Sequence, residues 1–137
     1  MIMKFNFKQA LTPIKALAVM LILLFSPLSS AQQMAEFVEA KEKALSTTVH
    51  YLAGVLQQAK SKPLSKEEKD HLVKGDLVNV IDRALSEQNT TYTELSQFEG
   101  EYHYELANWL AFHWQKKAVL DNLQAKVDGL LKEIDSQ

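Results

Sequence analysis

Apolar and aromatic residues recur through the last third of the chain at Leu95, Phe98, Tyr102, Leu106, Trp109, Leu120, Leu123, Val127, Leu130 and Ile134. From Leu106 on, the steps alternate between three and four residues once His113 and Lys116 are placed on the same line. That is the period of a helix that packs along its whole length against other helices. Thr91 and Glu94 have capping-box spacing and set its start at Tyr92. Run to Ile134, it would be about 64 Å long. Gly100 is the alternative breakpoint, splitting off residues 92–99 as a short fourth helix; the unbroken helix is the preferred reading.

Two shorter helices precede it. The first is expected from about Ala35 to about Ala59, with Val38, Leu45, Val49, Leu52, Leu56 and Ala59 as its stripe and Met34, Phe37 and Val55 beside it. Pro63 ends it and pushes Lys62 into extended backbone. Ser65 and Glu68 form a second capping-box pair, and a helix with Leu72, Val73, Leu77, Val80, Ile81, Ala84 and Leu85 inward follows to about Ser86. No strand-like alternation or internal repeat appears. Beyond residue 31, Gly54, Pro63, Gly75, Gly100 and Gly129 are too few for the turns of an all-β fold. The expected class is all-α: an elongated three-helix, or with the Gly100 break four-helix, bundle built on a long C-terminal helix.

The N-terminus reads differently. Lys4, Lys8 and Lys15 are followed by an apolar run from Ala16 to Phe25, then Pro27 and the small residues Ser29, Ser30 and Ala31. This is the layout of a secretory signal peptide cleaved after Ala31. The run is about half the ~20 residues a spanning helix needs. Residues 1–31 are thus expected to be a leader and 32–137 a single helical domain. Cleavage removes three lysines and no acid, which makes the domain more negative than the −2 of the whole chain. Such a domain does not suit phosphate-rich nucleic acid or an anionic membrane surface. The chain has no cysteine, which excludes disulfides, thiolate metal sites, a cysteine nucleophile and covalent c-type haem attachment. A leader without cysteines fits the periplasm.

Candidate chemistry is sparse. His50 and His71 lie off their stripes. Glu99 and His103 share one turn of helix, the spacing of two ligands where a firm metal site needs three or four. His113 falls on the expected buried stripe, the place of a neutral core histidine with one hydrogen-bond partner. An axial haem ligand, with Met34 as a second, is the alternative. Glu105 and Lys116 fall on the same stripe about 16 Å apart along the axis, so each needs a partner on another helix or open water. With His113 they lack a nucleophile at fixed spacing and an oxyanion loop, so no enzyme and no cofactor are expected.

The aromatic cluster is the strongest local signal. Phe98, Tyr102, Trp109 and Phe112 belong to the main stripe. Tyr104, Ala107, Ala111, Trp114 and Ala118 step by three and four along the opposite side. A helix apolar on two faces is either central to its own fold or shared with a partner. These five residues are the expected partner-binding surface, for another protein or a second copy. The expected function is that of an exported, periplasmic, non-enzymatic protein working through protein–protein contacts, as an adaptor, chaperone or inhibitor/immunity-type protein. The alternative is a cofactor- or metal-binding bundle using His113 or Glu99 and His103.

Overall fold

The computed structural model describes residues 29–137, so the leader expected from the sequence lies outside the described residues except for Ser29, Ser30 and Ala31. The fold is all-α, with no strand among the described residues. Helix α1 runs from Ser30 to Ser61, about 48 Å. It starts five residues before the expected Ala35, because the Ser29 hydroxyl accepts the Gln32 N–H at 3.0 Å and caps the helix there. The helix therefore runs through the expected Ala31–Gln32 cleavage junction. Lys62 is extended (φ −147°, ψ 123°) ahead of Pro63 and ends it.

The chain then reverses. The expected capping box is formed: Glu68 N–H donates to the Ser65 hydroxyl at 3.1 Å, and Ser65 N–H donates to the Glu68 carboxylate at 3.0 Å. Helix α2 spans Lys66–Asp70. A π-helical turn, His71–Asp76, follows, then α3, Leu77–Ala84, and a 3₁₀ turn, Leu85–Gln88. The regular α-helix expected here is thus widened at Gly75 and tightened at its end. The Leu72 carbonyl accepts both the Leu77 N–H and, at 2.9 Å, the Tyr51 hydroxyl of α1. Asn89 then takes a left-handed conformation (φ 55°) that asparagine tolerates better than most residues.

The expected continuous helix 92–134 is three helices: α4, Tyr92–Glu101; α5, His103–Phe112; and α6, Trp114–Asp135. The breaks fall at Tyr102 (φ −116°, ψ 28°) and His113 (φ −125°, ψ 58°), not at Gly100, which remains helical within α4. Between them the chain reverses again. Leu95 packs against the group containing Ala40 and Ala44, and Phe98 stacks on Phe37, so α4 runs antiparallel to α1. Leu120 joins Met34, Phe37 and Val38, while Val127 and Ile134 join Leu52, Val55 and Leu56, so α6 runs parallel to α1. The ion pairs agree: Lys41 pairs with Glu99 of α4, and its neighbour Glu42 with Lys116 of α6 at 3.3 Å. The result is an up-down-up bundle with α5 as its corner.

The reversal has a simple cause. Leu95 already lies against the first half of α1, and α4 runs toward the end where α1 begins. Continued as one helix, the chain would overrun α1 and leave the stripe from Leu120 to Ile134 without a partner. Turning at α5 brings that stripe back onto α1. It also makes α1 the centre of the molecule. Its buried residues reach beyond the expected stripe to Ala40 and Ala44, which face Ile81 and Leu85, and to Thr48. Thr48 is satisfied by donating to the Ala44 carbonyl at 2.7 Å.

Candidate functional site

The corner carries the chemistry the sequence singled out. Leu106 is its buried anchor, beside Met34, with Trp109 and Leu110 half-buried against the same group. A short aromatic stack leads into it: the Phe37 and Phe98 centroids lie 4.9 Å apart, and Phe98 and Tyr102 4.6 Å apart. Burial, and after it the charges of Glu101 and Glu105, raise the Tyr102 pKa above 10.0.

His113 is exposed, not buried on the stripe as expected. Its ring stacks on Trp109 at 3.6 Å between centroids and 8° between planes. Its Nδ1 lies 2.7 Å from the Trp109 carbonyl; a carbonyl only accepts, so Nδ1 carries the proton and donates. The His113 backbone N–H has moved to the Leu110 carbonyl. The side chain thus replaces the bond its own amide would make in a continuous helix. His103 also folds back after the first break, with Nδ1 3.2 Å from the carbonyl of Gly100, three residues earlier. A histidine able to fold back on a freed carbonyl was the one sequence signal for these breaks.

The remaining candidates are dispersed. The Glu99 carboxylate is held by Lys41 of α1. No group of three metal-ligating side chains forms among the described residues. Lys116 finds Glu42, while Glu105 is exposed and makes no ion pair among the described residues. Phe112, expected on the main stripe, is 85% exposed. It borders an open groove of about 700 Å³ between the first turn of α1 and α5, lined by Gln32, Met34, Trp109, Phe112 and His113. Met34, the second member of the alternative cofactor pair, thus shares a groove with His113 but is only 2% exposed.

Tyr104, Ala107, Ala111, Trp114 and Ala118 are all exposed, Tyr104 at 75% and Trp114 at 68%. The break at His113 places the first three on α5 and the last two on α6, so the row is split across the corner. Three large aromatic side chains, Tyr104, Phe112 and Trp114, are therefore open to solvent within one turn of chain reversal. Clustered exposed apolar groups mark interaction surfaces more often than single ones do. No protein-family model, curated protein or solved structure matches the chain.

Proposed function

We propose that this is a small exported, periplasmic helical protein that acts by protein–protein contacts at the α5 corner, as an adaptor, chaperone or inhibitor/immunity-type protein, and not as an enzyme. The observation that carries the reading is the exposure of Tyr104, Phe112 and Trp114 together. Aromatic side chains bury large areas and dominate many interfaces. Export rests on the leader layout of residues 1–31. The test is capture of partners from periplasmic extract by the wild-type protein and by Trp114→Ala. A partner held by the first and lost by the second supports the reading; identical capture by both removes Trp114 from it. The second reading, a planar cofactor seated between His113 and Met34, is favoured only by their shared groove. A visible absorption band in protein purified from its native compartment would put it first.

A further inference from the structure

We propose that the corner is a hinge through which two copies of this chain exchange α6. The corner of each copy then straightens into a continuous helix, and α6 of each copy packs on α1 of the other.

Three observations converge on this. The stripe of α4, α5 and α6 keeps helical spacing through both breaks, so a straightened chain has one continuous line, apolar except at His113 and Lys116. On that line Phe112 and His113, exposed in the corner, return to the packing side. Neither break carries a proline or glycine, and neither α5 nor α6 has a side-chain N-cap. The starts of α1, α2 and α4 all have one. Straightening therefore breaks no cap and restores backbone bonds that the breaks removed. Finally, α6 is held by contacts with α1, and an exchanged copy supplies the same contacts between chains. Exchange of an identical element leaves those terms unchanged, so the hinge decides the balance. A straight helix overruns α1 of its own chain, and a second copy provides what that overrun needs.

The inference deepens the contact reading by naming the partner. The chain has no cysteine, so Gln97→Cys with Asn122→Cys places two spin labels cleanly on exposed sites of α4 and α6. In the straightened form they lie about 38 Å apart along one helix; in the corner form α4 and α6 run in opposite directions along α1, Phe98 and Leu120 pack against the same group, and the distance is shorter. Labelled chains are diluted into excess unlabelled exported protein, so only distances within a chain are read. Sedimentation velocity over a concentration series reports dimer. His113→Ala and His113→Gly both remove the imidazole, and they differ in helix propensity by roughly fivefold per chain. Two chains straighten in each dimer, so the Ala variant should dimerise on the order of twentyfold more tightly than the Gly variant. A dimer that shows the long distance and this ranking is the expected result. A dimer that keeps the short distance, or equal dimerisation of the two variants, overturns the exchange. So does a chain that stays monomeric in all three forms. If that monomer still captures a Trp114-dependent partner, the contact reading survives without exchange; if it captures none, both fail.

Discussion

The chain reverses direction twice, and the two reversals are built in different ways. The first, at Ser61 to Ser65, has Pro63, an extended Lys62 and a complete capping box. Each of these residues has a local reason to stop one helix and start the next. The second, from Tyr102 to His113, has none of them. It uses two non-helical residues of ordinary type and two histidines that bond carbonyls the breaks set free. The first reversal is dictated locally, whereas the second is imposed by the need of the Leu120–Ile134 stripe for a partner. A turn of the second kind holds only while that packing holds.

The largest test compares the packing at each end. Leu52 is fully buried near the first reversal, among Val55, Leu56, Val127 and Ile134. Leu52→Ala should cost about 2–5 kcal/mol. Leu106, buried at the corner, should cost less, since α5 is free to settle onto the cavity on its open side. Urea denaturation of both variants measures this. Equal losses would mean that the corner is held as firmly as the base and would break the comparison.

A smaller effect separates the helix starts. Ser65→Ala and Thr91→Ala each remove a hydroxyl that accepts a first-turn amide, at 3.1 Å and 3.2 Å. Each should cost about 0.5–2 kcal/mol. Thermal or urea melts of the two variants check the range. If neither loses stability, the capped starts are no more locally specified than the uncapped ones.

This difference also explains what was legible in the sequence. The all-α class, Pro63 as a stop and both capping boxes follow from neighbouring residues, and the structure has them. The start of α1 at Ser30 depended on Ser29, a capping residue inside the expected cleavage site. Periodicity placed Phe112 and His113 on the buried line but could not say where the line must fold. Its spacing is the same for a straight helix and a corner, and only the length of α1 distinguishes them. Ala40, Ala44 and Thr48 were missed because small residues give a weak periodic signal, although α1 is buried on that side too. The Tyr104 row was read as one face of one helix, and the break at His113 divides it.

Each reversal also has a tyrosine that reports on it. Burial first, and then the charge of Asp76, raise the Tyr51 pKa above 10.0. Tyr102 is raised in the same way at the corner. A raised folded pKa means that the unfolded chain loses its proton first. The contribution is therefore complete below about pH 10 and is lost as pH rises through the folded value. Tyr51→Phe should cost about 0.5–1.5 kcal/mol at neutral pH, for the lost bond to the Leu72 carbonyl. Tyr51→Phe with Tyr102→Phe should flatten part of the decline in stability above pH 10. Urea melts from pH 8 to 11 compare it with the wild type. An unchanged alkaline slope would mean that both hydroxyls titrate as they do in the unfolded chain.

The smallest expected effect belongs to Trp114. It is the first residue of α6, is 68% exposed, and lies outside all three core groups. Its large apolar surface faces water at the reversal that is not locally specified. Trp114→Ala should therefore change the stability of the monomer by less than about 0.5 kcal/mol, as for a surface site without special contacts. It should also remove most of the change in tryptophan fluorescence that follows partner binding at the corner, since Trp109 is already half-buried and stacked on His113. Melts of the dilute monomer and fluorescence over a concentration series measure the two effects separately. A loss of several kcal/mol in the monomer would make Trp114 a core residue, and the corner would then be held by its aromatics and not by the stripe it serves.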